Sequence, residues 1–301
     1  MTDIPEYRNF KKIESINKGS SCDIKFYVET FNEEKLLLRI ADAGEYKRKK
    51  TIVDLTGHEA LRSIPMQKTV GFGFCDNGRS VYHLLTWCDG ENAEEVLPFL
   101  SDPERYSLGV KSGEILRKIH AIPAPDLTNE WQEKYDYELQ ARKNLVFSTG
   151  IEVSGAAKVF GYYDNNKHLL KGRPQCFHHG DYHIGNFVIS DKKDLSVIDW
   201  ELMAYGNFAD PWEEFGSLAV RKFFPFFAVG QLHGYFGGEP PEEFWNIFAL
   251  YFSVGALMNV GWTNEKNRAE LENSIKAVGD VLLWFDGMRS SVPAWYFKKS
   301  S

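Results

Sequence analysis

The sequence predicts an α+β protein of two lobes, in which a small antiparallel sheet of five strands with one helix precedes a larger, mainly helical lobe. Three observations predict this architecture. Short β-rich apolar segments occupy the first 88 residues, helical periodicity replaces them after Asp89-Gly90, and the length of 301 residues exceeds the size at which one hydrophobic core keeps growing. We therefore divide the chain at this change, into residues 1–88 and 89–301.

The small lobe is predicted from five segments that have the alternating pattern of strands. They span residues 11–17, 23–30, 34–41, 69–75 and 79–87. Phe31-Asn32-Glu33 forms the turn between the second and third strands, and Asp76-Asn77-Gly78 joins the last two as a hairpin. The polar segment over residues 45–62 predicts the one helix of this lobe.

The large lobe begins with a helix whose start is marked in the sequence. Ser101-Asp-Pro-Glu104 forms a capping box with proline in the first turn, and we expect the helix to end at His120. The apolar stretch 244–260 contains three polar side chains and is short for a membrane span, so it predicts a buried helix. Apolar residues at helical spacing over 271–285 predict a long amphipathic helix near the C-terminus.

The segment 178–200 contains the most informative pattern in the chain. Asp181 stands five residues before Asn186, and Asp199 follows a predicted hairpin over residues 187–198. Because antiparallel pairing brings the two ends of a hairpin together, Asn186 and Asp199 should be neighbours. An amide and a carboxylate suit Mg²⁺ when a nucleotide supplies further oxygen ligands. Asp181 would then orient a substrate hydroxyl, as the aspartate of the protein-kinase catalytic loop does.

Two other interpretations of this segment stay open. The first is that the pattern arises by chance and has no function. The spacing between Asp181 and Asn186 is common and alone carries little information, whereas the joint pattern with the flanking His-Gly and Ile-Asp-Trp is far rarer by chance. Alternatively, His178, His179, Asp181 and His183 could be Zn²⁺ ligands of a metallohydrolase. The sequence offers no further cluster of histidines or cysteines to supply the remaining Zn²⁺ ligands. This hypothesis also leaves Asn186 and Asp199 unexplained.

In this segment the chain resembles the aminoglycoside phosphotransferase family, the small-molecule branch of the protein-kinase-like fold. The matching positions are His179, Gly180, Asp181, His183, Asn186, Ile198, Asp199 and Trp200. The resemblance implies a bilobal kinase-like fold in which Asp181 is the catalytic aspartate and Asn186 and Asp199 hold Mg²⁺. The residues that it implies as supports of the catalytic loop are His179, His183 and Asp210.

The small lobe carries the residues expected to bind the nucleotide. A candidate phosphate-covering loop between the first two strands consists of Gly19, Ser20 and Ser21. An ordinary hairpin loop explains these three residues equally well. Arg39 on the third strand is the cation expected to hold the phosphates, where the family usually has lysine. Backbone groups near Thr86 and Trp87, between the lobes, are expected to bond the adenine.

The acidic partner that Arg39 would have on the helix is not evident. The resemblance places this acid near Ile52, and the nearest acids in the sequence are Asp54 and Glu59. Either could pair with Arg39 if the helix is rotated, or no such pair exists. A second hypothesis is therefore a kinase-like protein that binds nucleotide without turnover.

The expected reaction is Mg²⁺-dependent transfer of the γ-phosphate of ATP or GTP to a hydroxyl group of a small molecule. By resemblance the acceptor is an aminoglycoside-like antibiotic, although choline, homoserine and macrolide kinases share the same core motif. An aromatic-rich region over 223–252 follows the motif, and most of its side chains should belong to the core. Acids that could hold an amino sugar at the rim of the acceptor pocket are Glu201, Glu213 and Glu214.

Composition narrows the class of protein further. A net charge of −7 argues against a nucleic-acid partner and suits a cationic acceptor. The four cysteines lack Cys-x-x-Cys spacing, which argues against a disulfide framework and for a reducing compartment. The N-terminal residues lack the apolar core of a signal peptide. We therefore expect a monomeric cytoplasmic protein that does not bind a membrane.

Overall fold

The computed structural model describes residues 1–17, 22–125, 130–148, 150–200, 207–219, 223–264 and 268–298. Its small lobe is a five-stranded antiparallel sheet with the spatial order β1-β2-β3-β5-β4, which confirms the predicted fold class. The strands are β1 (Phe10–Ile16), β2 (Ile24–Thr30), β3 (Lys35–Asp42), β4 (Thr69–Cys75) and β5 (Ser80–Thr86).

The helix of the small lobe, α1 (Tyr46–Thr56), is shorter than the predicted 45–62. It ends at Gly57, whose N–H donates to the carbonyl of Val53 at 3.0 Å. Residues 59–61 form a single 3₁₀ turn beyond this point. Glycine is a poor helix former, and it stops the helix here although the polar pattern of the sequence continues past it.

Strand β3 is covered on both of its faces. Leu36 and Leu38 point into the core of the small lobe, together with Leu84 of β5. Arg39 lies on the opposite face, across from His83 in the register of β3 and β5. Arg39 is only 9% exposed. The period of two along a strand thus explains why this arginine is buried beneath α1 instead of standing free on the surface.

The large lobe contains the remaining elements of the described chain. Its helices are α2 (Ala93–Val96), α3 (Asp102–Ile119), α4 (Trp131–Ser148), α5 (Ala156–Asn166), α6 (Pro225–Phe236), α7 (Glu242–Asn264) and α8 (Arg268–Trp284). Its short strands are β6 (Glu91–Asn92), β7 (Cys176–Phe177), β8 (Phe187–Ile189), β9 (Leu195–Val197) and β10 (Phe208–Ala209). Strands β6, β8 and β9 form one sheet, and β7 pairs with β10. These elements surround a second hydrophobic core, distinct from that of the small lobe.

Helix α3 begins where the sequence predicts. Glu104 Oε2 accepts hydrogen bonds from the backbone N–H of Ser101 at 2.8 Å and from its hydroxyl at 2.7 Å. The helix ends at Ile119, one residue before the predicted His120, whose N–H still donates to Leu116 O at 2.9 Å. The capping box therefore fixes the start of α3, and with it the face that α3 presents to the core.

Helices α3 and α6 run in the same direction and touch along their backbones. Gly109 and Gly113 of α3 face α6, and Gly230 and Gly234 of α6 face α3. Residues four apart share one face of a helix, so each pair forms a smooth strip. A Cβ atom at Gly113 would lie 2.0 Å from the carbonyl oxygen of Gln231, closer than any real Cβ contact. We call this contact the glycine seam.

Helix α7 is the core helix that the apolar stretch 244–260 predicts. By length and composition alone, its window Glu242–Gly261 could also cross a membrane. In the folded chain, 83% of that window is buried inside the large lobe. A helix that is apolar on all sides is expected at the centre of a large domain.

One segment of chain runs between the lobes, and a second segment of the small lobe contacts the large one. The first follows β5 and includes Trp87, whose N–H donates to Lys35 O at 3.1 Å. The second lies between α1 and β4, where Val197 of β9 donates its N–H to Pro65 O at 2.9 Å and Met66 forms a parallel bridge with Val197. Met66 packs in the larger core. Part of the chain before residue 88 therefore belongs to the packing of the large lobe.

Candidate active site

The predicted hairpin forms and brings the two ends of its motif together. Phe187 stands opposite Val197 in the antiparallel pairing of β8 and β9. One step further out, the N–H of Ile198 donates to the carbonyl of Asn186 at 2.9 Å. Asp199 is the next residue, so it lies beside Asn186 at the same end of the hairpin, as the sequence predicts.

Both oxygens of the Asp181 carboxylate are held in place. Asn186 Nδ2 donates to Asp181 Oδ2 at 2.9 Å and to its backbone carbonyl at 2.9 Å. His183 Nε2 lies 3.1 Å from Asp181 Oδ1. Because His183 Nδ1 accepts the N–H of Gly185 at 3.0 Å, the Nε2 atom carries the proton and donates to Asp181. The loop thus orients this carboxylate before any substrate binds.

Asp181 is ionised and reachable from solvent. Burial raises the pKa of this carboxyl group, but the hydrogen bonds from His183 and Asn186 lower it by more, so the pKa stands below its usual value. The side chain is 44% exposed. A carboxylate with a lowered pKa is a weak base, and it is suited to accept a hydrogen bond from a substrate hydroxyl.

Asn186 and Asp199 fit the donor set of a Mg²⁺ ion. The amide nitrogen of Asn186 makes both of the bonds to Asp181, so the amide oxygen faces away from that carboxylate. Asp199 is 34% exposed and has a positive φ of 62°, a conformation that aspartate adopts more readily than most residues. One amide and one carboxylate oxygen are hard ligands of the kind Mg²⁺ takes beside phosphate and water.

Arg39 lies between two carboxylates, and neither of them is on the helix. Its Nε donates to Asp23 Oδ2 at 2.7 Å and its Nη1 donates to Asp199 Oδ1 at 2.6 Å. Lys49 of α1 donates to the same Asp23 Oδ2 at 2.7 Å. Ile52 occupies the expected position of the helix acid and lines the same cleft as Arg39 and Asp199. The helix therefore brings a cation to this site.

Neither Asp54 nor Glu59 pairs with Arg39, so of the three alternatives the absence of an acidic partner on the helix is the one that holds. Asp54 pairs with Lys50 on the outer side of α1. Glu59 lies beyond the end of α1, 3.6 Å from Arg62, and 83% of its side chain is exposed. The predicted helix continued through residue 59, but α1 stops before Gly57, and Glu59 lies in the 3₁₀ turn that follows.

Asp23 is not among the predicted site residues, although the register of β2 and β3 indicates its position. In the register of β2 and β3, Lys25 stands opposite Arg39. Asp23 is two residues before Lys25, so it occupies the diagonal position on the face that Arg39 shares. Fixing the register from the turn at 31–33 would have placed this acid near Arg39. No comparable local pattern marks Lys49, which depends on how α1 packs.

The imidazole of His179 fastens the catalytic loop to the end of the hairpin. Its Nε2 donates to Ile198 O at 3.0 Å, and its Nδ1 accepts the N–H of Asp181 at 3.2 Å. Burial lowers the pKa of His179, so the ring is neutral. Both nitrogens of His179 and of His183 are therefore hydrogen-bonded within the protein, so these two rings are not oriented as Zn²⁺ ligands here. This geometry argues against the metallohydrolase interpretation.

Glu214 lies beneath the catalytic loop and not at the rim of an acceptor pocket. Its Oε1 accepts the N–H of Gly180 at 2.7 Å, and its Oε2 accepts the N–H of His179 at 3.2 Å and His120 Nε2 at 2.9 Å. Burial raises the pKa of this carboxyl group, but the neighbouring imidazoles of His178 and His120 hold it below its usual range. The prediction that Glu214 contacts the acceptor is therefore wrong, because only 3% of this side chain is exposed.

Asp210 anchors the segment that carries Glu214. Arg173 donates to both of its oxygens, at 2.7 and 2.9 Å, and Tyr251 donates its hydroxyl at 3.0 Å. The N–H of Trp212 also bonds to Asp210, at 3.0 Å. A fully buried carboxylate needs such partners, and four donors supply them here. Support of the catalytic loop, predicted for Asp210, is compatible with this position.

The remaining predicted site residues have different outcomes. The N–H groups of Thr86 and Trp87 donate to Lys68 O at 2.8 Å and to Lys35 O at 3.1 Å, so these two donors are engaged within the protein, and adenine binding by other backbone groups of this segment stays a prediction. Glu213 is 16% exposed and lies 3.7 Å from His178, beneath the loop like its neighbour. The residues that lie outside the described part of the chain are Gly19, Ser20, Ser21 and Glu201.

An apolar slot opens beside the catalytic loop, next to His183. Its lining residues are His183, Ile184, Ser217, Leu218, Phe223, Phe224, Phe227 and Ala228. Three members of the aromatic-rich region thus line a cavity, while others, such as Phe244 and Phe248, are fully buried in the core. Because His183 bonds to Asp181, the slot lies within two side chains of the oriented carboxylate.

Comparisons with known proteins identify a family and a fold. The model of the phosphotransferase enzyme family matches residues 12–245. No curated protein matches the chain. Similar solved structures include the GDP complex of wild-type aminoglycoside 2'-phosphotransferase-IIIa, at 12% identity and a TM-score of 0.68, covering 93% of this chain and 95% of the other.

A choline/ethanolamine kinase family protein from Mesorhizobium loti is similar at 16% identity and a TM-score of 0.67, covering 96% of this chain and 94% of the other. The gentamicin complex of APH(2")-IIa is similar at 16% identity and a TM-score of 0.61, covering 89% and 91%. At these identities the structural likeness shows a shared fold.

Proposed function

The chain belongs to the phosphotransferase enzyme family, and from this premise we propose that it transfers the γ-phosphate of ATP or GTP to a hydroxyl group of a small molecule. One observation carries the proposal. The Asp181 carboxylate is oriented at both oxygens by His183 and Asn186, and the same Asn186 stands at the hairpin end beside Asp199. Phosphoryl transfer needs such an arrangement of a hydroxyl-orienting acid and two oxygen donors.

Asp181 acts mainly by positioning. Its lowered pKa makes proton removal from an alcohol unfavourable in the ground state, but an ionised carboxylate still accepts a hydrogen bond from the acceptor hydroxyl. In a loose transition state the attacking oxygen carries little charge, so alignment with the γ-phosphate contributes more than deprotonation. His183 keeps the carboxylate turned toward the acceptor.

Arg39 and a metal ion held by Asn186 and Asp199 would balance the negative charge of the donor phosphates. Asn186 and Asp199 would bind Mg²⁺, which when present neutralises phosphate charge. Arg39 is a permanent cation whose planar fork suits two oxygen atoms at once. It reaches Asp199 at 2.6 Å, so phosphate-binding cation and metal-binding carboxylate are direct neighbours.

We propose aminoglycoside-like compounds as the first acceptors to test, with choline, homoserine and macrolides as alternatives. Solved structures with this fold include a gentamicin complex and a choline/ethanolamine kinase family protein. The burial of Glu214 removes one acid that would hold a polycation. The apolar slot beside His183 has room for no more than about one water molecule, so it does not select among these acceptors.

Asp181→Asn, tested against Asp191→Asn, examines the proposal. Asp191 is exposed in the turn of the hairpin and serves as the matched control. We expect Asp181→Asn to lower kcat by about 10²- to 10⁴-fold on any accepted hydroxyl compound, the scale of a lost positioned base. The assay follows transfer of radiolabelled phosphate from Mg·ATP and Mg·GTP to a panel of aminoglycosides, macrolides and amino alcohols. Equal turnover by the two variants contradicts the assignment.

The second candidate is a protein that binds nucleotide without turnover. Ile52 motivates it, because the helix lacks an acid beside Arg39. Under this alternative, Mg·ATP raises the thermal unfolding midpoint while no acceptor in the panel is labelled. Labelling of any acceptor by the wild-type chain, lost in Asp181→Asn, rejects it.

A further inference from the structure

Asp23, Arg39 and Lys49 form a buried ionic cluster that the family motif does not account for. One oxygen of Asp23 accepts both cations, each at 2.7 Å. The side chains of Asp23, Arg39 and Lys49 are 9%, 10% and 7% exposed. A buried carboxylate with two partners is firmly fixed, and removing it would leave two cations without their shared partner.

The cluster joins three elements of the small lobe. Asp23 immediately precedes β2, Arg39 lies on β3 and Lys49 lies on α1. Since both cations bond to a single atom, Asp23 sets the distance between α1 and the sheet at this point. It also limits the directions in which the guanidinium of Arg39 can extend. Nη1 of Arg39 is left to reach toward Asp199 across the cleft.

The balance of charge in the cluster favours an anionic ligand. Two cations and one carboxylate carry a net charge of +1, and Asp199 brings the sum to zero through its bond to Arg39. Asp199 is 34% exposed and is the residue proposed to hold Mg²⁺. When Asp199 bonds a metal ion, the cluster regains its positive charge, which a phosphate oxygen can then balance.

We propose that Asp23 is the positioning residue that aims Arg39 at the donor phosphates, with Lys49 securing Asp23 from α1. The helix thus contributes a cation, and the acid comes from the start of β2. The inference rests on the proposed function, because it names the residues that prepare the nucleotide site of that reaction. Burial raises the pKa of Asp23, but Arg39 and Lys49 lower it by more, so the carboxylate is charged as this role requires.

Asp23→Asn is the direct test. We expect it to weaken binding of Mg·ADP about 10- to 100-fold, the scale of one charge-assisted hydrogen bond. In turnover, the KM for nucleotide rises while the KM for the acceptor stays unchanged, a split that general loss of structure would not produce. Asp54→Asn is the matched control, because Asp54 pairs with Lys50 on the outer side of α1, the helix that carries Lys49.

Ile52→Glu in the Asp23→Asn background tests whether a carboxylate on α1 can replace that of Asp23 in nucleotide binding. Ile52 lines the cleft with Arg39, so a glutamate there would bring a carboxylate into the same cleft from the helix. We expect it to recover at least half of the lost binding free energy. If Asp23→Asn does not fold, Asp23→Glu replaces it. That variant keeps the charge but shifts the carboxylate by one methylene group, and it should still weaken Mg·ADP binding at least threefold.

Isothermal titration of Mg·ADP into each folded variant separates the outcomes. Binding by the wild-type chain, with weaker binding by Asp23→Asn, supports the inference. Equal binding by the wild-type chain and a folded Asp23 variant overturns it and leaves the proposed function intact. A wild-type chain that binds neither Mg·ADP nor Mg·GDP refutes the proposed function, and the inference falls with it.

Discussion

The glycine seam between α3 and α6 gives the sharpest test of how the large lobe is built. Gly113→Ala adds one methyl group at the closest approach of the two helices. The new Cβ atom would lie 2.0 Å from the carbonyl oxygen of Gln231 and 2.5 Å from the N atom of Tyr235. Both are backbone atoms, so neither can rotate away. The helices must move apart by more than an ångström to reach ordinary contact.

The cost follows from the contacts that this movement breaks. Overpacking a core typically costs about 1–3 kcal/mol. Separation also stretches the buried bond from Gln231 Nε2 to Ser112 Oγ, now 2.6 Å, which is worth roughly 1 kcal/mol more. Alanine is also the better helix former by about 1 kcal/mol, which offsets part of this cost. We therefore expect Gly113→Ala to destabilise the chain by about 2 kcal/mol, and for a domain of this size that corresponds to a fall of roughly 4–8 °C in Tm.

The matched control is Gly279→Ala in α8. Gly279 is also a helical glycine, but a Cβ atom there would meet nothing within 4 Å. Alanine is the better helix former by about 1 kcal/mol, so Tm should stay constant or rise slightly. Thermal and urea unfolding, followed by circular dichroism, measure both variants. A Tm for Gly113→Ala within 2 °C of the wild-type value would refute the reasoning.

Gly113→Ala should also lower activity, because α3 contacts the catalytic loop. Tyr182, the residue after Asp181, donates its hydroxyl to the carbonyl of Ser112 at 2.7 Å. Ser112 precedes Gly113 on α3, so displacement of the helix shifts the catalytic loop. We expect a lower kcat for Gly113→Ala even at temperatures where the variant is fully folded.

Two further predictions concern buried ionisable groups. Glu214→Gln keeps the shape of the side chain but removes the charge that accepts the N–H of Gly180, so kcat should fall about tenfold and stability by roughly 3 kcal/mol in urea unfolding. Unchanged stability would contradict the position given to Glu214. Burial, with help from Arg39 and Lys49, lowers the pKa of His83 from 6.5 to about 4. The unfolded chain then takes up this proton first, so stability should fall by up to roughly 3 kcal/mol between pH 6.5 and 4 and level off below. His83→Gln should make that part of the pH dependence in urea unfolding shallower, with buried His178 and His179 contributing the remainder, and a profile identical to wild type would argue against it.

The parts of the site that sequence predicts well are the local ones. Asn186 and Asp199 are neighbours because a short hairpin allows few registers, and turn chemistry marks its ends. The capping box of α3 is likewise written within four residues. In both cases the atoms that bond are close along the chain, so their contact depends little on the rest of the fold.

The parts that sequence missed depend on packing between distant elements. Glu214 looked like an acid at a pocket rim because its burial comes from His120, 94 residues away. Asp23 and Lys49 meet only because α1 lies over the sheet. The spacing of glycines on α3 is visible in the sequence, but the partner helix lies more than 100 residues further on. Charge and size at one position do not reveal such partners.

In the described part of the chain, the small lobe is held to the large lobe by the segment after β5, by the hydrogen bond from Val197 to Pro65 and by the ion pair of Arg39 with Asp199. Asp199 follows Val197 by two residues, so the last two contacts both involve the same end of the hairpin. Opening the cleft between Arg39 and Asp199 to admit a nucleotide must therefore break a charge-assisted bond, which Mg²⁺ and phosphate can replace.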